Sequence, residues 1–255
     1  MNLKVIIPVY NEGELLLPWL RSVVSYLLDD DCLVLVDASD ASHASHEGNR
    51  EGSMEGFLSD PIFQQANVFY VRSDKGRAIQ MNTGADFLAS KNKISDGFIW
   101  FLHSDSGLSG EHFSYLRALK SSVLWGRFDV RLSAEQPFNF ANSILFSIKS
   151  FTISIFINVR SRLTQVMTGD QGIFVRSDVF QALGGYDNIP LMEDVEISKR
   201  LRVLGKADCN GPVLLTSARR WQKHGWLKTV LLMWQLRFLY WRGVSPNVLV
   251  KKYYG

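Results

Sequence analysis

The sequence predicts an α/β fold, a mostly parallel sheet flanked by helices, on three observations. Four short apolar runs each stop on a polar cluster: "LKVIIPVYNE", "DCLVLVDASDAS", "NVFYVRSDKG" and "GFIWFLHSDSG". Segments with helical apolar spacing, "GELLLPWLRSVVSYLLDD" and "GRAIQMNTGADFLAS", separate the first run from the second and the third from the fourth. The 255 residues are 46% hydrophobic and 21% charged, enough for one large domain with its own core. Strands alternating with helices at this spacing imply crossover connections and parallel pairing. Ligands of such sheets bind beyond the carboxyl ends of the strands. All four polar clusters sit at carboxyl ends, so they should converge on one edge.

The bulk numbers narrow the function classes. A formal net charge of +3 is too small for a nucleic-acid-binding face and suits anionic small molecules or an anionic surface. Cys32 and Cys209 stand far apart in apolar settings, in no metal or redox spacing. They read as buried free thiols, which fits a reducing cytoplasm. The start, "MNLKVIIPVYNE", enters a strand-like run with no apolar leader or cleavage site. No uncharged apolar run reaches the roughly 18–20 residues of a spanning helix. The expected location is the cytoplasm, with attachment at the inner face of a membrane the alternative.

Taken in order, Pro8 suits a strand end because it lacks an N–H. Asn11 and Glu12 follow it, and capping of the next helix is their simplest reading. Asp37 closes the second run and can accept from a base or a ribose, while Ser39 and Asp40 also suit a turn. Residues 41–65 are polar and Gly/Ser-rich, a loop in which His43 and His46 read as solvated rather than as a metal pair. Lys75 and Arg77 put two cations at a helix N-terminus that is already electropositive. That costs stability unless an anion visits, so a phosphate site is expected there. Asn82 and Gly84, a turn on, would let the helix approach a ligand or the sheet closely. His103, Ser104, Asp105 and Ser106 close the fourth run. A carboxylate there, beside a phosphate-friendly helix start, suits a hard divalent cation.

The second half is more apolar. In "PFNFANSILFSIKSFTISIFINVRSRLTQ", Ala141, Ile144, Leu145, Ile148, Ile155 and Val159 keep helical spacing opposite Asn142, Lys149 and Asn158. "PLMEDVEISKRLRVLG" starts a helix with Glu193, Asp194 and Glu196. Acidic residues there match the helix dipole, and the alternative is a carboxylate that takes a proton from an acceptor hydroxyl. "SARRWQKHG" clusters Arg219, Arg220, Trp221, Lys223 and His224, either as solvated surface or as an anion site. In "WLKTVLLMWQLRFLYWRG", Leu227, Val230, Leu231, Trp234, Phe238 and Trp241 form one stripe, flanked by Lys228, Arg237 and Arg242. Core or interface packing is the first expectation for this last helix, and a membrane interface the second.

The series as a whole, from Ile6 to about Pro246, resembles family-2 glycosyltransferases of the GT-A fold. "IIPVYNE" matches that family's opening strand, "VDASDAS" its acidic second-strand turn and "KGRAIQMNTGA" its Lys/Arg–Asn–Gly segment. "HSDS" sits at its Asp-x-Asp metal motif, "GGYDNIPLMEDVEISKRL" at its GG(F/Y)…ED segment and "SARRW" at Gln-x-x-Arg-Trp. "GRAIQMNTGA", "GDQGIF" and "RRWQKHGWL…LYWRGVSP" resemble a bacterial subgroup labelled radical-SAM/selenodomain-associated transferase 2, a label that gives no substrate.

The resemblance implies an inverting transferase. It would take a nucleoside-diphosphate sugar, UDP- or GDP-linked, and use a divalent metal, Mn2+ or Mg2+. Pro8, Tyr10, Glu12 and Asp37 would hold the nucleoside, with Asn82 and Ser104 in the donor set. Lys75 and Arg77 would face the diphosphate and Asp105 would bind the metal. Asp194 would be the general base, supported by Glu193 and Glu196. Arg220 and Trp221 would meet the diphosphate or the acceptor. Two positions depart from the pattern. His103 replaces the first acidic residue of the metal motif, where it would ligate a metal or hydrogen-bond the donor, and Ser217 replaces the Gln. His224 would be a further ligand if its loop folded over the site. The expected organisation is a transferase domain over 1–225 and an apolar helical extension over 226–255, packed on it or on a membrane. The apolar segments point to a lipid-linked or hydrophobic acceptor. The rival readings are a non-catalytic nucleotide-sugar binder and a sugar nucleotidyltransferase. The second would want a Gly-rich loop after the first strand, where "PVYNEGELLLPW" has one Gly.

Overall fold

The computed structural model describes residues 1–12, 15–40, 57–65, 67–93, 96–133 and 140–254, without the side chains of 140–145, 220 and 254. His43 and His46 lie outside the described residues. In chain order the elements are β1 (Leu3–Val9), α1 (Leu16–Val24), β2 (Cys32–Asp37), β3 (Val68–Arg72), α2 (Arg77–Ser90), β4 (Phe98–Phe101) and α3 (Gly110–Ala118). Then come β5 (Trp125–Gly126), β6 (Val130–Ser133), α4 (Phe140–Thr164), β7 (Phe174–Arg176), α5 (Ser177–Ala182) and α6 (Glu193–Leu204). The chain finishes with β8 (Leu214–Ser217), α7 (Arg219–His224), α8 (Trp226–Trp241) and α9 (Pro246–Tyr254).

The main sheet has the order β3-β2-β1-β4-β7-β5. The four strands expected from the sequence pair in parallel, so their carboxyl ends share one edge. β7 runs antiparallel to β4, and β5 antiparallel to β7. β6 and β8 form a separate parallel pair.

Both faces of the sheet are covered, which is why its strands read as unbroken apolar runs. Ile6, Val34 and Ile99 pack under α2 against Met81, Ala85 and Leu88. Val5, Leu33 and Phe98 belong to the other face, with Leu20 and Val23 of α1 and Phe113 and Leu116 of α3. Gly84 serves the sheet. A Cβ there would lie 2.7 Å from Ile6 and 3.0 Å from Val36. Gly84→Ala is therefore expected to cost about 1–3 kcal/mol through overpacking, seen as a lower melting temperature with the fold retained.

The two apolar helices turn much of their apolar surface outward, which for the second corrects the expectation of core packing. On α4 the buried face is polar. Asn158 accepts from the Val130 N–H (2.9 Å) and donates to the Val130 carbonyl (3.0 Å). Ser154 accepts from the Leu132 N–H (3.0 Å), and Ser150 and Ser161 are buried as well. These side chains satisfy the edge of β6 away from β8, where no strand lies among the described residues. The apolar residues are thereby turned outward: Ile148, Phe151, Ile155, Phe156, Val159 and Leu163 are all exposed. Ala141, Asn142, Ile144 and Leu145 lie where side chains are outside the described residues.

α8 divides its apolar surface. Leu236 packs with Leu249 of α9 on Met192 and Val195, at the start of α6. The stripe read from the sequence faces out: Leu227, Leu231, Trp234, Phe238 and Trp241 are exposed, with Val230 half-buried. Among the described residues no helix is long and apolar enough to cross a membrane.

Candidate active site

The four polar clusters meet where the parallel strands end. After β1, Tyr10 donates its hydroxyl to Asp40 (2.7 Å), and Lys75 donates to that hydroxyl (2.6 Å) with its ammonium 3.8 Å over the ring. Asn11, in a left-handed conformation at φ 52°, joins the same loop. Its amide exchanges hydrogen bonds with Asp40, and its N–H donates to Ser39 (2.8 Å). Asn11 and Glu12 therefore do not cap α1, whose N-cap is Leu15 with no side-chain bond. Glu12 instead accepts from Ser104 (2.8 Å), which ties the ends of β1 and β4 together. Gln80 of α2, buried, donates to the carbonyls of Val9 (2.7 Å) and Val36 (2.9 Å) and fixes the ends of β1 and β2.

Asp37 is buried and already engaged. It accepts from Tyr70 (2.7 Å), Arg72 (2.6 Å) and the Ser39 N–H (2.8 Å). Burial alone would raise its carboxyl, but the hydrogen bonds from Ser39, Tyr70 and Arg72 outweigh that and hold it below the usual carboxylate range. The Tyr70 phenol is pushed up to about 12, first by burial and then by Asp37. Asp37 thus acts on Arg72 and the 38–40 turn, and neither Tyr70 nor Arg72 was marked by the sequence.

One pocket opens beyond the sheet edge. Arg77, His103, Tyr186, Glu193 and Asp194 line it, over an apolar floor of Pro8, Phe101 and Ile173. Asp194 is held by backbone: its Oδ2 accepts from the Gly169 N–H (3.0 Å) and its Oδ1 from the Val195 N–H (2.7 Å). Glu193 is buried beside it. Burial, then the charge of Asp194, pushes the Glu193 carboxyl up to about 7, with Arg77 opposing. His103 is held well below the ordinary imidazole range by burial and then by Arg77, so it is neutral near pH 7. Its Nδ1 lies 3.5 Å from an Arg77 nitrogen. A guanidinium only donates, so this contact suits a ring whose Nδ1 accepts.

Asp105, two residues after His103, is exposed. Surrounding protein raises its carboxyl first; Arg77 and Arg219 then pull it down, and Glu12 and Asp170 push it up. Asp170 has a buried Oδ1 with no hydrogen-bond partner. Among the described residues, no three His, Cys, Asp or Glu side chains gather as a metal site. Asp105, with Glu12 and Asp170 in its electrostatic neighbourhood, suits an ion held jointly with substrate phosphates, which is how magnesium is usually bound. His103 fits a metal ligand less well than expected, because it faces a guanidinium.

Other expected residues are engaged elsewhere. Asn82 donates to the Tyr186 carbonyl (2.8 Å) and accepts from the Tyr186 N–H (2.9 Å), so it pins that loop. Glu196 pairs with Arg200 (2.7 Å), which in turn holds the carbonyls of Leu183 and Gly185. Trp221 stacks on Trp226 (6.0 Å between centroids), and Trp226 meets Phe146 (5.5 Å). Arg220 lies on α7 with its side chain outside the described residues, and its neighbour Arg219 bears on Asp105. His224 is exposed at the end of α7.

Two arginines were missed. Burial, and then Arg237, pushes the Arg160 guanidinium down to about 10. Arg237 is also lowered by burial, and both feel the charges of Asp170 and Asp194. An Arg within each apolar helix was the available signal.

Comparison with known proteins agrees with this fold. Structures of similar fold include S. aureus TarS 1-349 (TM-score 0.55, 12% identity, 86% of this chain and 61% of that one). The same protein in complex with UDP-GlcNAc gives a TM-score of 0.55 at 11% identity, over 85% and 58% of the two chains. The mannosyltransferase PcManGT from Pyrobaculum calidifontis, in complex with GDP-Man and Mn2+, gives 0.54 at 16% identity, over 92% and 60%. The chain thus spans about 60% of the length of these relatives. No curated protein matches it by sequence. The shared architecture is the GT-A arrangement, a mostly parallel sheet flanked by helices. The sequence profile described as Glycosyl transferase family 2 matches residues 4–168, most of the chain, and the chain belongs to that family.

Proposed function

We propose that this protein is an inverting, metal-assisted glycosyltransferase that moves a sugar from a nucleoside-diphosphate sugar to an acceptor hydroxyl. The observation that carries the reading is the pocket beyond β1 and β4, with a backbone-oriented Asp194 inside it and Lys75, Arg77 and Arg219 around it. Asp194 takes the acceptor proton as the acceptor oxygen attacks the anomeric carbon from the face opposite the diphosphate. The bond to the diphosphate breaks as the new one forms, so configuration inverts. Lys75, Arg77 and Arg219 stabilise the charge left on the departing diphosphate. Asp105, with Glu12 and Asp170 near it, would hold Mn2+ or Mg2+, which would add to that neutralisation. His103, held well below the ordinary imidazole range, lines the pocket as a neutral ring. The acceptor is a lipid-linked or otherwise apolar alcohol, a reading supported by the exposed apolar helices next to the pocket wall.

The first experiment is thermal stabilisation by UDP and GDP, with and without Mn2+. A ligand at a hundred times its Kd should add about 2.7 kcal/mol. One of the two nucleotides should raise the melting temperature, more so with metal, and Lys75→Ala and Arg77→Ala should weaken the effect. No shift with either nucleotide in either condition overturns the reading. A second reading, a nucleotide-sugar binder without turnover, is favoured by His103 facing Arg77 where the metal motif has an acid. Stabilisation by the donor with no donor hydrolysis or transfer would select it.

A further inference from the structure

We propose that the outward faces of α4 and α8, with α9 beside them, form a docking surface for an anionic phospholipid bilayer. This does not rest on the transferase reading, because it stands on the surface alone.

The exposed apolar groups are large: Phe156 is 63% exposed, Leu227 72% and Trp241 72%. Large apolar groups exposed in number along neighbouring helices mark an interaction site. On α4 it is not the leftover of a core stripe, because the buried side of that helix is the polar one. The two helices also present one surface. Phe146 of α4 meets Trp226 of α8, and further along the charge of Arg237 on α8 reaches Arg160 on α4.

Charge selects the occupant. Residues 209–255 contain eight Lys and Arg and no Asp or Glu, in a chain of 28 basic and 25 acidic residues. Residues 137–169, which include α4, contain three basic residues and no acidic one. Lys228, Arg242, Lys251 and Lys252 are exposed around the apolar stripe. A second copy of the chain would set these cations against each other, which is unfavourable. An anionic headgroup layer offers apolar depth with opposite charge, and Trp residues suit its boundary. The helices would lie in the interface rather than span it.

The test is co-sedimentation of the full chain with vesicles of phosphatidylcholine alone or mixed with phosphatidylglycerol, at low and high salt. Binding should require phosphatidylglycerol and fall with salt. The triple substitution Phe156→Ser, Trp234→Ser, Trp241→Ser touches exposed groups, so the melting temperature should hold while the bound fraction falls about tenfold or more. Lys228→Glu with Lys251→Glu and Lys252→Glu should remove the preference for the anionic lipid, each charge being worth about fivefold. Three outcomes overturn the proposal. One is no binding to the anionic vesicles at low salt by protein with its normal melting temperature. Another is binding that neither set of substitutions changes. The third is a dimer that the triple substitution dissociates, with no vesicle binding.

Discussion

Asp194→Asn is expected to lower the rate of sugar transfer by about 10²- to 10⁴-fold while the nucleotide still stabilises the protein. The carboxylate is gripped by two backbone N–H groups, from Gly169 and Val195, so its position does not depend on substrate. Asparagine keeps the volume but takes up no proton, and its NH2 meets an N–H where an oxygen stood. Binding of the diphosphate, assigned to Lys75, Arg77 and Arg219, should persist. The measurement is kcat beside the nucleotide-induced rise in melting temperature. If Asp194→Asn keeps its turnover and Glu193→Gln loses it, the base is Glu193. If both keep it, the proposed chemistry fails.

The second large effect is on stability against pH. The Glu193 carboxyl sits at about 7 in the folded protein, from an ordinary value of 4.5, because it is buried beside Asp194. Those neighbours make the proton a property of the pair. The folded state therefore holds a proton that the unfolded chain releases. Stability from this group is full below pH 4.5, falls between 4.5 and about 7, and is level above that. A shift of that size corresponds to about 3 kcal/mol. Glutamine cannot titrate. The stability difference between wild type and Glu193→Gln should move by about 3 kcal/mol toward the variant between pH 4 and pH 8. Urea denaturation of both proteins at the two pH values measures it. A difference that stays constant would mean that the carboxyl ionises in the folded state as it does in water.

The parallel core of the fold was legible because β1, β2 and β4 are buried on both faces and so read as unbroken apolar runs. β5 and β7, with two and three residues, are too short to carry a pattern. The orientation of α4 was not legible for a different reason. A period of 3.6 shows that a helix has two faces, but not which one is inside. Here the unpaired edge of β6 decides, since its N–H and C=O groups need Asn158 and Ser154 more than the core needs Ile155. In the site, residues at strand ends came together as expected: Tyr10 with Lys75, Glu12 with Ser104, Arg77 with His103. Asn82 and Glu196 sit at the right place in the chain but hold the 183–187 loop. That role is invisible without knowing which backbone groups lack partners. Arg160 and Arg237 were passed over because a charge in an apolar helix looks like a solvated break in the pattern, until the fold turns it inward.

The packing of Leu236 and Leu249 on Met192 and Val195 makes the last two helices a retaining wall for the turn that carries Glu193 and Asp194. The boundary read at residue 225 is therefore no natural place to divide the molecule. Deleting residues 226–255 would strip the support from behind the acidic pair, so the tail and the helix that carries Glu193 and Asp194 must be inherited, and engineered, together.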